Sequence, residues 1–206
     1  MRTKTKGLSE KLIVAARSEF LEKGYELASL RTIAQNAEMT TGAIYRRYAD
    51  KEALFDALVS ETEEGFFQMF SSAQESFFDL IEEGNTKMSY DLTNDYLLSL
   101  VEYVYENLED FRLILCYGAG SKHEDFLHKL VALEVARKNE YYDILRKKGK
   151  LVGEIHPDVH HMLVAAYFTS VFEVVKHDMK KEDAYSHIAQ IATFFQSGFR
   201  SLIRFL

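Results

Sequence analysis

At 206 residues the chain is long enough for one large domain, or a small domain joined to a medium one, with a substantial core in either case. Hydrophobic residues make up 47% and charged residues 28%, with ten glycines and one proline, which excludes collagenous, low-complexity and mostly disordered chains. The net charge of −7 argues against a nucleic-acid partner only until it is divided along the chain.

Residues 1–52 carry ten Lys and Arg against seven Asp and Glu, a balance of +3, whereas the rest carries 15 against 25, a balance of −10. A basic head on an acidic body is the pattern of a DNA-binding module fused to a non-binding domain, because only the DNA-facing surface has to replace phosphate counterions. Cys116 is the single cysteine, so no intrachain disulfide and no CxxC motif exists, and a reducing, cytoplasmic compartment is expected. The longest uncharged apolar-rich stretch, residues 162–172, is far short of the ~20 residues of a membrane helix, so no membrane partner is expected. The first eleven residues lack the apolar core of an export signal.

The elements then read as helix after helix. Leu12, Ile13, Ala16 and Phe20 share one helical face, and Gly24 stops the first helix. Ser29 caps a second, short helix carrying Leu30, Ile33, Ala34 and Ala37. After a break at Met39-Thr40-Thr41, Thr40 or Thr41 caps a third helix through Tyr48, with Ile44 and Tyr48 spaced i, i+4 toward a core. Two short helices joined by a tight turn make a helix-turn-helix. Asp50 caps a fourth helix that continues the apolar stripe through Leu54, Phe55, Leu58 and Val59 to about residue 72. Further helices are expected at 74–83, 88–107, 109–117, 121–148, 158–178 and 181–204, with breaks that include Glu83-Gly84-Asn85. A short strand between 149 and 155 is set aside, because no second β-rich run exists to pair with it.

A recognition helix presents short polar residues and a few long ones to the major groove while its back packs on the preceding helices. In the run from Thr40 to Tyr48, Thr41, Ala43, Tyr45 and Arg46 face outward, and the small Gly42 and Ala43 let the backbone approach DNA closely. Tyr45 offers a phenol to phosphate and a ring to a thymine methyl, and Arg46 reaches phosphate or a guanine edge. Taken alone, Tyr45 and Tyr48 also read as half-buried packing residues, and Arg46-Arg47 as solvated surface. The whole run decides between these.

Phe20, Gly24-Tyr25, Ser29-Leu30-Arg31-Thr32-Ile33-Ala34, Thr41-Gly42-Ala43-Ile44-Tyr45, Tyr48 and Lys51-Glu52-Ala53-Leu54-Phe55 together resemble the tetracycline-repressor-like (TetR) family of bacterial transcription regulators, over about residues 8–58. Glu38 departs from the family, which often has glycine in that turn; a positive φ there costs a β-carbon residue stability. The resemblance implies an all-α fold, with a three-helix DNA-binding domain over 1–52 and a helical ligand-binding and dimerisation domain over 53–206. It maps Thr40, Thr41, Gly42, Tyr45 and Arg46 onto recognition-helix contacts, Arg31 onto a contact from the second helix and Lys51 onto a phosphate contact. Arg2, Lys4 and Lys6 read as a disordered arm, either a solvated tail or a source of further DNA contacts.

Beyond residue 52 lie 23 of the 27 aromatic residues, about twice the density of the head. An aromatic-rich core explains any single ring as well as a cavity does; the resemblance implies a small-molecule pocket, here assigned to Phe66, Phe70, Tyr103, Cys116, Tyr117 and Phe168. Glu63, Glu64 and Glu102 leave room for a cationic ligand, or are solvated charges. The last two helices are strongly apolar, and the resemblance makes them a homodimer face around Ala165, Phe172, Ile188, Phe195 and Phe199.

His156 and His160 have a zinc-like spacing but no interposed Glu and no third ligand, so no metal is expected. The Gly118–Lys122 stretch lacks phosphate-loop spacing and a preceding strand, GxSxG is absent, and no cofactor or catalytic residue is assigned. The expected function is a ligand-responsive, homodimeric repressor of a double-stranded inverted-repeat operator, released by an apolar or amphipathic effector. The competing readings are an apolar-ligand binding protein or small enzyme with an accessory helical head, and a DNA-independent adaptor.

Overall fold

With one proline in 206 residues the chain has few obligatory stops. The computed structural model shows nine helices among the residues it describes, which are 2–82 and 86–205 for the backbone and 10–76 and 96–203 for the side chains. The first, α1 (Arg2–Leu27), is broken at Gly24, where φ is 73° and ψ 164°, a conformation that glycine adopts without the cost of a β-carbon. The expected stop is therefore a kink with a short helical continuation. The backbone of the expected basic arm is the first turn of α1, and the side chains of Arg2, Lys4 and Lys6 lie outside the described residues.

Next come α2 (Leu30–Asn36), α3 (Thr41–Tyr45) and α4 (Lys51–Glu82). The last does not end near residue 72; the helix expected at 74–83 is its continuation, with no glycine or proline between them. α5 (Thr86–Glu106) and α6 (Leu108–Cys116) follow, and the break expected at 83–85 lies outside the described residues. α7 (Phe126–Lys147) starts five residues later than expected. Ser121 Oγ donates to the Gly118 carbonyl at 2.7 Å and accepts from the His123 amide at 3.2 Å, which holds that segment in a turn. α8 (Pro157–Lys176) and α9 (Lys181–Leu202) complete the helices.

The absence of a strand between 149 and 155 is also corrected. Leu151–Val152 (β1) pairs antiparallel with Arg204–Phe205 (β2), Leu151 opposite Phe205 and Val152 opposite Arg204. The partner strand is two residues at the end of α9, too short to register as a β-rich run. Gly153, at φ 99°, permits the approach: a β-carbon there would stand 2.7 Å from the Leu202 carbonyl oxygen. Tyr142, Leu145, Leu151 and Ile203 form the small core beneath.

The chain divides into two compact units, residues 1–65 with 107–126, and residues 66–106 with 127–206. In the first, Phe20 and Phe55 meet edge to face at 5.0 Å, and Phe111 meets Phe126 at 5.9 Å. Polar ties join its elements. The Arg17 guanidinium pairs with Asp110, which also accepts from Thr62 Oγ1 at 2.5 Å, and the Tyr25 amide donates to the Tyr117 carbonyl at 2.7 Å. His123, 4% exposed, bonds Glu63 through Nδ1 and lies 3.2 Å from Asp56 through Nε2, fixing the 121–125 turn to α4. In the second unit Phe66, Phe70, Val101, Val104, Val164, Phe168, Val171, Phe172 and Ile188 are buried.

Candidate nucleic-acid interface

Three caps set the geometry of the head. Ser29 Oγ accepts from the Thr32 amide at 3.4 Å, while the Ser29 amide donates to the buried Glu19 carboxylate at 3.0 Å. Thr40 Oγ1 accepts from the Ala43 amide at 3.2 Å, and Asp50 Oδ1 from the Ala53 amide at 2.8 Å. Each satisfies an amide that a helix start leaves open.

Between α2 and α3 the chain closes in a Schellman turn. The Met39 amide donates to the Ala34 carbonyl at 2.8 Å and the Glu38 amide to the Gln35 carbonyl at 3.1 Å, which places Glu38 in the left-handed region at φ 56°. The positive φ implied by the family's frequent glycine at this turn is present. An exposed ion pair with Lys11 holds the Glu38 carboxyl below its usual range.

These turns bury one side of the helix pair and expose the other. Ile33, Ala37 and Ile44 are fully buried and Ala34 nearly so. Arg31, Thr40, Thr41, Gly42 and Arg46 are exposed, as is Tyr45 at 56%. Ala43, expected to face outward, is half-buried, as is Tyr48, which was expected to face inward. Hydrogen bonding continues past Tyr45, with the Tyr48 amide donating to the Ile44 carbonyl at 3.0 Å, so the turn carrying Arg46 and Arg47 remains helix-like. A β-carbon on Gly42 would meet only Thr40 Oγ1, at 3.9 Å, so nothing inside the protein demands glycine there. Gln35, one turn from Arg31, is also exposed and was missed by sequence reasoning; the i, i+4 step from Arg31 was the available signal.

Lys51, expected to contact phosphate, is engaged within the head. Its Nζ donates to the carbonyls of Glu26 at 2.9 Å and Ala28 at 3.4 Å, and lies 4.7 Å from the centre of the Tyr25 ring. Burial, with a hydrogen bond to Glu52, pushes the Tyr25 phenol up to about 12.

In the second unit an apolar cavity of about 40 Å³ is lined by Phe66, Phe70, Val101, Phe168, Phe172 and Ile188, among others. Phe66, Phe70 and Phe168, three of the six residues assigned to a pocket, are thus brought together. Tyr103 instead borders an open depression with Met69, Glu102 and Tyr185, and Cys116 and Tyr117 are exposed on the first unit. Glu102 is bound by Lys181 and Tyr185, which hold its carboxyl below the usual range. Phe172 and Ile188, assigned to a dimer face, line the cavity. Ala165, Phe195 and Phe199 are half-buried, and Val159, Met162, Phe194 and Leu202 are the large apolar side chains exposed on α8 and α9. Among the described residues, no three His, Cys, Asp or Glu side chains are grouped to hold a metal, and no helix is long and apolar enough to cross a membrane.

Residues 12–58 match the family described as bacterial regulatory proteins, tetR family. The chain is 24% identical to the HTH-type transcriptional regulator UidR of Escherichia coli strain K12, across 98% of this chain and 94% of UidR. It is 42% identical over 53 residues to an HTH-type transcriptional repressor of Mycobacterium tuberculosis, covering 26% of this chain and 28% of that one. Its fold matches that of NalD, the secondary repressor of the MexAB-OprM multidrug efflux pump in Pseudomonas aeruginosa, with a TM-score of 0.57 at 15% identity over 99% of both chains.

Proposed function

We propose that the chain is a TetR-family transcriptional regulator and acts as a homodimeric repressor, released from an inverted-repeat operator by an uncharged or weakly polar, largely apolar effector. The observation that carries the DNA-binding part is the division of α2 and α3: Ile33, Ala37 and Ile44 form the buried back, and Arg31, Gln35, Thr40, Thr41, Gly42, Tyr45 and Arg46 the exposed front. Such a front offers hydroxyls, an amide, a phenol and guanidinium groups to phosphates and base edges.

Homodimerisation rests on Met162, Phe194 and Leu202, exposed on α8 and α9 beside the half-buried Ala165, Phe195 and Phe199. Twofold symmetry gives two recognition helices and hence an inverted repeat. The effector site is the apolar cavity. Its 40 Å³ holds little more than water-sized volume, so an effector must part Phe66 and Phe70 of α4 from Phe168 and Phe172 of α8 to enter. α4 is continuous from Phe70 back to Lys51, and its displacement is the proposed signal. A 100-fold loss of operator affinity needs ~2.7 kcal/mol of differential effector binding, within reach of a few buried contacts.

The test is a gel-shift and footprint on the promoter of the chain's own gene with the double variant Tyr45→Ala, Arg46→Ala. Loss of the footprint with unchanged helix content and mass supports the assignment; an undiminished shift refutes it. Binding by the unaltered chain should weaken steeply with salt.

A further inference from the structure

Along α4 and α8 the inward residues meet in layers. Phe66 lies 6.0 Å from Phe172 and Phe70 5.8 Å from Phe168, ring centre to ring centre. One further turn carries α4 from Phe70 to Gln74, about 6 Å along the axis, and two turns carry α8 from Phe168 through Val164 to His160. Beyond the phenylalanine layers the two helices thus carry the polar Gln74 and His160.

The two belong to a connected chain of contacts. Gln74 Nε2 donates to Glu134 Oε2 at 2.7 Å, and Lys138 Nζ lies 3.0 Å from Glu134 Oε1. The Lys138 ammonium stands 4.9 Å over the Phe199 ring, and Phe199 and Tyr142 flank His160 at 6.1 and 5.6 Å. Tyr167, which lines the cavity, lies close enough to feel the charges of both Lys138 and Glu134. Gln74 Oε1 and His160 Nε2 are both shut off from the surface, and neither has a hydrogen-bond partner. His160 is 2% exposed. Buried polar atoms without partners are uncommon and destabilising, and each of these two, beyond the residues that line the cavity, calls for a partner.

We propose that the effector is an uncharged amphiphile with a hydroxyl-bearing end, its hydrocarbon body between Phe66, Phe70, Phe168 and Phe172 and its hydroxyl end at Gln74 and His160. The inference rests on the reading of this cavity as the effector site and adds the chemical class. Glu134, as a carboxylate, only accepts hydrogen bonds, so the Gln74 amide must turn its NH₂ to it and leave Oε1 to accept elsewhere. That oxygen requires a donor. Burial and the nearby Lys138 favour neutral His160, whose Nε2 donates or accepts according to tautomer and so suits a hydroxyl in either role. A carboxylate head supplies no donor to Gln74 and meets the Glu134 charge. An ammonium head meets Lys138. Glu134 and Lys138 balance each other and leave the end without net charge for either to neutralise.

The experiment is titration calorimetry of the full chain with 1-octanol, octanoate and octylammonium, which share one hydrocarbon body. The expected result is that octanol binds at least tenfold more tightly than either ion, and that Gln74→Leu and His160→Phe each weaken octanol about tenfold. Equal affinity for all three overturns the hydroxyl assignment and leaves the effector cavity standing. Binding of none overturns both. Folded variants that bind octanol as tightly as the unaltered chain also overturn the assignment, and the three-ligand comparison decides if a variant fails to fold.

Discussion

Lys51 Nζ donates to the carbonyl oxygen of Glu26 at 2.9 Å, so the ammonium closes the C-terminal end of α1 from the first residue of α4. With the Ala28 carbonyl and the Tyr25 ring also against it, this lysine fastens the head together. Lys51→Met keeps the stem and removes the donor. It should lower the unfolding free energy by about 1 kcal/mol, read from urea denaturation, while the salt dependence of operator binding keeps its slope. A slope reduced by about one would return Lys51 to a phosphate.

Gly42 lies in α3, exposed, with room for a β-carbon. Glycine in a helix interior is less favourable than alanine by roughly 0.8–1 kcal/mol. Gly42→Ala should therefore raise the melting temperature while weakening operator binding at least tenfold, because the methyl group occupies space that DNA needs. A variant that gains stability and keeps full operator affinity would show that DNA does not approach this backbone.

The local devices of the head were legible because each is written in one or two residues. Ser29, Thr40 and Asp50 cap helices as their hydroxyl or carboxylate chemistry dictates, and the resemblance, with glycine frequent at that turn, implied the left-handed backbone of Glu38. What escaped depends on residues distant in sequence. Periodicity placed Phe172 and Ile188 on apolar helix faces but could not say which neighbour each face meets, and both turn inward. The carbonyl contacts of Lys51, to residues 25 and 23 positions upstream, were not legible because backbone acceptors carry no sequence signature. β1 was set aside because its partner is the end of another helix.

In the proposed dimer, Phe194 and Phe195 separate association from folding. Phe194 is 73% exposed, whereas Phe195 packs edge to face on Tyr167 at 5.4 Å and so contributes to its own protomer. If the proposed face is the interface, Phe194→Asp should leave a folded monomer by sedimentation velocity at micromolar concentration where the unaltered chain is a dimer, since symmetry would bury the charge twice in an apolar face. A dimer that survives the substitution would place the interface elsewhere.

His160 should make stability depend on pH in a defined sense. Burial is the largest influence lowering its pKa from the ordinary 6.5; Lys138 and His161 add to the effect, and Glu134 opposes it. The folded chain thus resists a proton that the unfolded chain accepts. Above the unfolded value both states hold a neutral ring, and stability is undiminished. As pH falls through 6.5 the unfolded state gains protons first, so stability declines until the folded ring also titrates. Urea unfolding of the unaltered chain and of His160→Phe, compared between pH 8 and pH 5, should show a steeper loss in the unaltered chain. Parallel curves would mean that His160 takes up its proton as readily in the folded protein as in the unfolded one.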